Sequence, residues 1–429
     1  MENNKPVPDS KALSYSHVIR LITTLIILLV IAIISFVNGK IILGIIAAVL
    51  FVAMLAGCYL IGSYLVKDTL AKGSNVFLTA IQKPRGRIAS AITLIDTVKN
   101  SGGNIETILE AVAKKDHECD QNQAEAIEQD NSEFEESLSL VPFAPIDDLF
   151  MAQMTESQKE HVMSERAQER KKVRMWMENA SQWKTVSIQS SDGLTLKARL
   201  IERHPDTEKW VILVHGYAGS WTELYHHARV YDEHGYNVLL PNMRAHASSE
   251  GSLISMGFHE GKDLALWAQF LNKTYSENDL HIVLHGQSMG AANVCNAAAL
   301  EDLPSSVVAG ICDCSFSHST QAVAWMCDML VPGIPLHPTL ELFDCNLRLR
   351  KGGCSIMQSD PACAVAKSNI PLMFIHAAQD TIVDPLCSQE LYDAANVKKE
   401  LLVIEGSGHC LNSFANKEEY YKRVFDFIK

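Results

Sequence analysis

Two long apolar stretches dominate the first part of the chain. Leu21–Val37 and Ile41–Val66 are almost uninterrupted runs of hydrophobic residues, separated only by residues 38–40. A helix needs about 20 apolar residues to cross a hydrocarbon core of about 30 Å, and each stretch is long enough, the first only just. The pattern therefore predicts a hairpin of two transmembrane helices over residues 21–66, preceded by a tail at 1–20.

Basic residues around these stretches indicate how the hairpin is oriented. They flank both outer ends, at Lys5, Lys11 and Arg20 before it and at Lys67, Lys72, Lys83, Arg85 and Arg87 after it. The turn between the two stretches holds only Lys40. Cytoplasmic flanks of membrane helices carry an excess of Lys and Arg. We therefore expect a multi-pass membrane protein whose two termini and whose remaining chain face the cytoplasm.

Two other interpretations compete with the hairpin. Leu21–Val37 also resembles the apolar core of a signal peptide, but no small-x-small cleavage motif follows it. Leu55–Cys58 matches a bacterial lipoprotein lipobox, yet it lies deep in the chain and apolar residues continue to Val66. The odd total of 11 cysteines, without paired spacing, favours reduced thiols in a cytosolic compartment. The hairpin is therefore the preferred interpretation.

From about residue 181 the pattern changes to short apolar runs that alternate with helical periodicity. Strands are predicted near Thr185–Gln189, Thr195–Ile201, Trp210–Val214, Asn237–Leu240, His281–Leu284, Val308–Cys312, Leu372–Ile375 and Leu401–Ile404. Between the fourth and fifth runs, Leu264, Trp267, Ala268 and Leu271 have the i, i+3, i+4, i+7 spacing of a helix with one apolar face. This alternation predicts an α/β domain over 181–429, with a doubly wound, mostly parallel eight-stranded sheet.

Between the membrane and this domain the composition becomes polar and acidic. Residues 67–115 have the apolar spacing of two short amphipathic helices, expected to lie on an anionic membrane surface or against the domain. Residues 116–154 are predicted to form an acidic linker, in which Asp116–Glu136 is typical of a disordered segment. Residues 155–180 predict a charged connecting helix, opened by a capping box from Thr155 to Gln158. The net charge of −13 argues against nucleic acid as a partner.

A Gly-Gln-Ser-Met-Gly segment, residues 286–290, follows the fifth predicted strand and begins a helical stretch. Glycines on either side of the serine allow a sharp turn and a close approach of neighbouring backbone. A helix that begins at Met289 points free N–H groups toward the serine oxygen. Strand, tight turn and helix in this order are the context of a nucleophile elbow. Ser288 is therefore the candidate nucleophile.

A nucleophilic serine requires a base, an acid that orients the base, and an oxyanion hole. His409, in a glycine-containing loop after the last predicted strand, is the candidate base. Asp380 is the preferred acid, and Asp384 on the same loop is the reserve. The backbone N–H groups of Tyr217, in the glycine-containing turn after the third predicted strand, and of Met289 are the candidate oxyanion donors.

The other histidines and the cysteines have less specific patterns. His215, His285 and His376 lie at predicted strand ends and are expected to be hydrogen-bonded structural residues, and His226 and His227 to be surface or packing residues. The evenly spaced Cys345, Cys354 and Cys363 fit no zinc motif. No metal or organic cofactor is expected.

These features resemble the α/β-hydrolase family, in the branch of serine hydrolases related to lysophospholipases and acyl esterases, over roughly residues 175–429. Residues 240–251 resemble the family segment Asp-x-Arg-Gly-His-Gly-x-Ser-x-Gly, with departures at Asn242, Ala245 and Ala247. Because that loop is usually structural in the family, the departures cast little doubt on catalysis. Ser359–Pro361 matches the family's approach to its acid residue.

The resemblance implies a catalytic triad at Ser288, Asp380 and His409, and a small helical cap at about residues 315–367. The predicted cap is rich in apolar residues, which favours an acyl or other hydrophobic substrate group. The sequence therefore predicts a membrane-anchored serine hydrolase that acts on a small-molecule ester, thioester or lipid-like substrate. The same triad also serves amidases, peptidases and acyltransferases. A catalytically silent, membrane-tethered interaction module is the alternative from a different class.

Overall fold

The computed structural model describes residues 29, 41–72, 148–178, 183–275, 279–331, 335–350 and 352–429. Eight strands form its central sheet: β1 (Lys184–Gln189), β2 (Thr195–Ile201), β3 (Lys209–Val214), β4 (Asn237–Pro241), β5 (His281–Gln287), β6 (Val307–Asp313), β7 (Leu372–Ala377) and β8 (Lys399–Ile404). All eight predicted apolar runs are strands, with ends that differ by a few residues. The strand order is β1-β2-β4-β3-β5-β6-β7-β8.

The sheet is mixed, which corrects the prediction of a mostly parallel sheet. β1 pairs antiparallel with β2, and β2 pairs antiparallel with β4, whereas the other pairings are parallel. The reason is the length of the first two connections, 190–194 and 202–208. Parallel neighbours need a crossover of about a dozen residues or more, so these short connections reverse the chain direction instead.

Helices cover both faces of the sheet. The described residues form α1 (Ile41–Leu70), α2 (Glu156–Glu178), α3 (Tyr225–Glu233), α4 (Phe258–Thr274), α5 (Met289–Ala297), α6 (Ser319–Leu330), α7 (Leu336–Arg348), α8 (Pro361–Val365), α9 (Leu386–Ala394), α10 (Asn412–Ala415) and α11 (Lys417–Phe427). Helices α4, α5 and α9 share one apolar core with the sheet. On the opposite face, α3 and α11 contact β5 through tyrosines on either side of His285. The doubly wound arrangement is as predicted.

The central strands are buried because helices lie on both of their faces. Every residue of β4 and β7 is buried, whereas the edge strand β1 alternates exposed and half-buried positions. The predicted apolar face of α4 is confirmed, since Leu264, Trp267, Ala268 and Leu271 are fully buried. Truncating a buried tryptophan such as Trp267 to alanine typically costs about 3–5 kcal/mol, so this helix contributes strongly to the core.

The interval between β6 and β7 holds α6, α7, a short 3-10 helix at Ile356–Gln358 and α8. This is where the sequence predicts a cap. Its buried apolar residues, which pack the segment, include Met326, Leu330, Leu340 and Phe343. Others are only half-buried, including Trp325, Met329, Leu336 and Leu342.

The described residues contain one helix that is long and apolar enough to cross a membrane. It runs over Val49–Lys67 within α1, with a mean hydropathy of 2.2. Apart from Leu29, the first predicted span, Leu21–Val37, lies outside the described residues, so the structure does not support a second span and the hairpin stays a prediction. Residues 73–147, with most of the predicted amphipathic helices and acidic linker, also lie outside them.

Helix α2 leads into the sheet domain and packs on it. The predicted capping box is confirmed, because the Thr155 N–H donates to the Gln158 side chain at 2.8 Å and the Gln158 N–H donates back to Thr155 Oγ1. Further along, Trp176 Nε1 donates to Asp232 Oδ2 at 2.6 Å. The helix is therefore fixed to α3 and is part of the domain's outer layer.

Candidate active site

The predicted elbow is a sharp turn between β5 and α5. Ser288 has φ 54° and ψ −120°, a left-handed backbone conformation that side-chain-bearing residues rarely adopt. The two flanking glycines are required by close backbone packing. A Cβ at Gly286 would overlap the carbonyl oxygen of Gly290, and a Cβ at Gly290 would overlap that of Val214 at the end of β3. The turn thus presents Ser288 at the carboxyl edge of the sheet.

Ser288, His409 and Asp380 form one continuous hydrogen-bonded chain. Ser288 Oγ lies 2.9 Å from His409 Nε2, and His409 Nδ1 lies 2.6 Å from Asp380 Oδ2. His409 and Asp380 are buried, whereas Ser288 is half-buried. These residues come from loops after β5, β7 and β8, whose parallel carboxyl ends meet at one edge of the sheet. The structure therefore brings the three predicted triad residues together.

The structure also separates the two candidate acids. Asp380 is buried, and its Oδ1 accepts hydrogen bonds from the Ile382 and Val383 N–H groups at 2.8 and 2.9 Å. Asp384 is exposed, and its Oδ1 accepts from the Leu386 N–H at the first turn of α9. Asp384 therefore caps a helix, while Asp380 contacts His409.

The contact between Asp380 and His409 changes the pKa of both groups. Burial disfavours the charged form of His409, but the adjacent Asp380 carboxylate and its hydrogen bond outweigh burial and raise the His409 pKa. Burial likewise acts to raise the pKa of Asp380, but the charge of His409 and hydrogen bonds from His376 and His409 lower it below its usual range. The pair therefore favours a carboxylate beside a basic imidazole.

The predicted oxyanion turn, residues 216–219, lies against the serine. A Cβ placed on Gly216 would be 3.3 Å from Ser288 Cβ, so the glycine permits this close approach. The Ala218 N–H donates to His246 Nε2 at 3.2 Å, which holds the turn from its outer side. Met289 begins α5, and the first N–H groups of a helix have no acceptor within the helix. Of the two proposed donor positions, Met289 therefore follows Ser288 in the chain, and Tyr217 follows Gly216, which lies against the serine.

The strand-end histidines are hydrogen-bonded inside the domain. His215 Nε2 accepts from the Met243 N–H at 3.0 Å, and burial lowers the His215 pKa to about 3. His285 lies between the hydroxyl groups of Tyr231 and Tyr420, at 3.0 and 2.9 Å, and burial lowers its pKa to about 3 as well. Both side chains are therefore neutral, as the structural interpretation expects.

A buried network around Asp313 was not predicted from the sequence. The Asp313 carbonyl accepts from the Ser288 N–H at 2.8 Å. Its carboxylate accepts from Asn412 Nδ2 at 2.6 Å and from the Tyr420 hydroxyl at 2.9 Å. The sequence contains one indication of this network. Asp313 is an acidic residue at the end of an apolar strand run adjacent to the elbow strand. The network connects the serine turn to α10, which begins three residues after His409.

The segment before α2 also reaches the site. The Phe150 carbonyl accepts from the His409 N–H at 3.3 Å, and the Phe150 ring meets the imidazole edge-on at 5.4 Å between centroids. Thr381 Oγ1 donates to the Leu149 carbonyl at 2.7 Å. These residues fall in the predicted acidic linker, because the local sequence around Phe150 does not reveal a tertiary contact.

Three groups of buried or half-buried side chains among the described residues have ligand atoms close enough to surround a metal ion. Two of them include triad residues: Cys314 with His409 and Cys410, and Cys314 with His376 and Asp380. The third joins His227, His285 and Asp313, and both ring nitrogens of His285 already contact tyrosine hydroxyls. These groups do not include Cys345, Cys354 or Cys363.

We expect Gly290→Ala to destabilise the protein, because a Cβ there overlaps the backbone of β3. The free energy of unfolding should fall by about 3 kcal/mol. The control is Gly235→Ala, at φ +80° with no atom within 4 Å of the added Cβ, where conformational strain alone costs about 1 kcal/mol. Urea unfolding of the full chain in detergent measures both, and equal losses would contradict the packing argument.

We expect Asp380→Asn to lower the pKa of His409, since the charge that raises it is removed while burial remains. In the unchanged protein the imidazolium should persist above pH 6.5, the ordinary range of histidine. The low-field proton resonance of the His409 Nδ1–H, followed against pH by NMR, reports this titration. Asp384→Asn is the matched control and should leave the midpoint unchanged. An equal shift in both variants would show that Asp380 is not the partner.

The chain is similar to several known proteins. The family model described as alpha/beta hydrolase fold matches residues 209–333. The uncharacterized protein YqkD of Bacillus subtilis is 28% identical over 243 residues, which cover 56% of this chain and 77% of YqkD. YfhR of Escherichia coli K12 is 24% identical over 220 residues, or 51% of this chain and 69% of YfhR. The solved Pyrococcus furiosus esterase Pf2001 is 24% identical, with a TM-score of 0.47, over 58% of this chain and 91% of its own. With its eight-stranded sheet and its match to the family model, the chain has the α/β-hydrolase fold.

Proposed function

We propose that this protein is a membrane-anchored serine hydrolase that cleaves a carboxylic ester or thioester through an acyl-enzyme. The observation that supports this most directly is the hydrogen-bonded chain from Ser288 through His409 to Asp380, at 2.9 and 2.6 Å. A serine on a strained turn, a basic histidine and a buried carboxylate are the groups that nucleophilic acyl transfer requires. Asp380 is the triad acid in this proposal.

In the first half-reaction, Ser288 Oγ attacks the carbonyl carbon while its proton passes to His409 Nε2. The carbonyl oxygen becomes an oxyanion, which accepts hydrogen bonds from the N–H groups of Tyr217 and Met289. One such donor is commonly worth about 3 kcal/mol. When the tetrahedral intermediate collapses, His409 gives the proton to the departing alcohol or thiol, and the acyl group stays on Ser288.

In the second half-reaction a water molecule attacks the acyl-enzyme and gives a proton to His409. The second tetrahedral intermediate releases the carboxylic acid, and the proton returns to Ser288 Oγ. Asp380 does not take the proton. It fixes the Nδ1–H tautomer of His409 and stabilises the imidazolium that forms twice in each cycle. Each step uses groups of the chain itself and water.

The apolar cap and the apolar helix favour a lipid-like or other hydrophobic acyl substrate. Half-buried side chains such as Trp325 and Leu342 provide apolar surface in the segment between β6 and β7. Transfer of an acyl chain to such surface is favourable by about 0.8 kcal/mol per buried methylene group. The lysophospholipase-like branch is the proposed substrate class. An amide or peptide substrate, or transfer to an acceptor other than water, uses the same triad.

The proposed anchor is helix α1, together with the predicted span at Leu21–Val37. Large apolar side chains of α1, including Val49, Leu50 and Val52, are exposed in the structure, as expected for a surface that faces lipid. The positive flanks place the catalytic domain on the cytoplasmic side. In this proposal the enzyme acts at the inner surface of the membrane.

We expect fluorophosphonate labelling and ester hydrolysis to require both Ser288 and His409. Ser288→Ala removes the nucleophile and His409→Ala removes its base, so each should abolish labelling and lower ester turnover at least about 10³-fold. The full chain in native membranes is tested with matched ester, thioester and amide substrates of increasing acyl length. Ser288→Ala with wild-type turnover would contradict the proposal, and folded wild type without labelling would favour a silent module.

The proposed topology predicts which cysteines a membrane-impermeant maleimide reaches. In sealed right-side-out vesicles, the exposed thiol of Cys363 should be labelled only after permeabilisation. In the variant Lys40→Cys, the new thiol in the predicted turn should be labelled without it. Peptide mass spectrometry assigns each site. Labelling of Cys363 in intact vesicles would place the catalytic domain on the outer side.

A further inference from the structure

The last turns of α1 pack on the cap helix α7. Gly62 is buried at this contact, and a Cβ placed there would lie 2.6 Å from the Leu342 carbonyl oxygen. Asn346 Nδ2 donates to the Tyr59 carbonyl at 3.3 Å, and Arg350 donates to Ser63 Oγ at 3.0 Å. Small residues at a helix contact let two backbones approach closely. The end of the membrane-spanning candidate is therefore docked on the catalytic domain.

One face of the docked end is buried, and the chain continues into the domain. Leu65, Val66 and Leu70 are almost completely buried. The Leu70 carbonyl accepts from the Ile254 N–H at 2.7 Å. The Lys72 N–H donates to the Ser252 carbonyl at 3.0 Å, which extends this contact along the loop that follows β4. The helix is thus held along its last three turns and just beyond its end.

One contact links this helix to the proposed oxyanion turn. The Tyr217 hydroxyl donates to the Thr69 carbonyl at 2.6 Å. Carbonyl groups in the last turn of a helix have no N–H partner within the helix, and they carry its partial negative charge. The Tyr217 hydroxyl therefore caps the end of α1, while the backbone of the same residue lies in the turn that packs against Ser288.

We propose that α1 is a structural part of the active site, and that the Tyr217 hydroxyl is a positioning group that fixes the oxyanion turn to the end of this helix. The inference rests on the proposed hydrolase function. It adds that turnover depends on how the membrane helix docks on the cap, as well as on the triad. The hydroxyl does not touch the reacting atoms, because it acts through the position of the Tyr217 backbone N–H.

The docking leaves a suitable length of α1 for the bilayer. From Ile41 to Cys58 the helix is about 27 Å long at 1.5 Å per residue, close to the thickness of a hydrocarbon core. The contacts with α7 begin at Tyr59. The cap helix therefore contacts one face of α1 within the apolar stretch Val49–Lys67, while Leu60 and Ile61 on this stretch are exposed.

The first test is Tyr217→Phe, which keeps the ring and the backbone N–H but removes the hydrogen bond to Thr69. In the full chain reconstituted in phospholipid nanodiscs, we expect kcat for an ester to fall about three- to tenfold, while KM stays within twofold. The matched control is Tyr275→Phe, which removes a hydroxyl that donates to Glu202 at 2.9 Å, far from the site. Its kcat should equal that of wild type.

The second test undocks the helix without changing its apolar character. Gly62→Leu adds a side chain where the Leu342 carbonyl leaves no room, whereas Gly57→Leu adds the same side chain where no atom lies within 4 Å. Both variants should insert into membranes equally. We expect Gly62→Leu alone to lower kcat about tenfold. Because both changes interrupt one linkage, adding Tyr217→Phe to Gly62→Leu should cause little further loss.

The outcomes separate this inference from the proposed function. Wild-type turnover in Tyr217→Phe, or equal effects of the two glycine variants, would overturn the role of the helix while the hydrolase stands. Additive losses in the double variant would overturn the linkage between the two contacts. If Gly62→Leu does not fold, Tyr217→Phe alone decides. Wild type without fluorophosphonate labelling or turnover would remove the proposed function and this inference together.

Discussion

The structure of the candidate site depends on one close backbone contact, where the start of α5 lies against the end of β3. Gly290 permits it, because any side chain there would overlap the Val214 carbonyl. The contact forces Ser288 into a left-handed conformation, which costs about 1–2 kcal/mol for a residue with a side chain. Hydrogen bonds offset this cost, since the Ser288 N–H donates to Asp313 and its carbonyl accepts from Ala291. The candidate nucleophile is thus positioned by the sheet itself.

Asp313 connects the Ser288 turn to the loop that carries His409. Its backbone carbonyl holds the Ser288 N–H, while its buried carboxylate accepts hydrogen bonds from Asn412, Tyr420 and Gln287. Burial raises the pKa of this carboxyl, and those donors act in the opposite direction. Because Asn412 begins α10 directly after the His409 loop, one buried group fixes the two sides of the Ser288–His409 hydrogen bond. Buried hydrogen bonds of this kind favour a single local arrangement.

Patterns along the chain predicted most of the fold, and the limits of that prediction are physical. Apolar runs located all eight strands, and glycine spacing located the elbow. The antiparallel pairings of β1 with β2 and of β2 with β4 were not predicted, because the alternation of strands and helices was interpreted as βαβ units throughout. The connections before β2 and β3 are too short for such crossovers. The sequence left Asp380 and Asp384 on one loop, and only the turn's hydrogen bonds separate them. The contacts of Asp313 and Phe150 are long-range, and local patterns do not encode them.

The sequence of helix α1 also leaves its contacts undetermined. Apolar residues are suited both to a surface that faces lipid and to a surface that packs on protein, so their pattern does not separate the two. Gly57 and Gly62 are equivalent in the sequence, yet only Gly62 faces a backbone within contact distance. The helix thus has two environments, with exposed apolar side chains toward Val49 and buried ones toward Leu70. Between its end and the elbow lies the predicted oxyanion turn, with Gly216 against Ser288 on one side and the Tyr217 hydroxyl against Thr69 on the other. A turn held from both sides has less freedom to move away from the serine, so helix α1 and the sheet together determine its position.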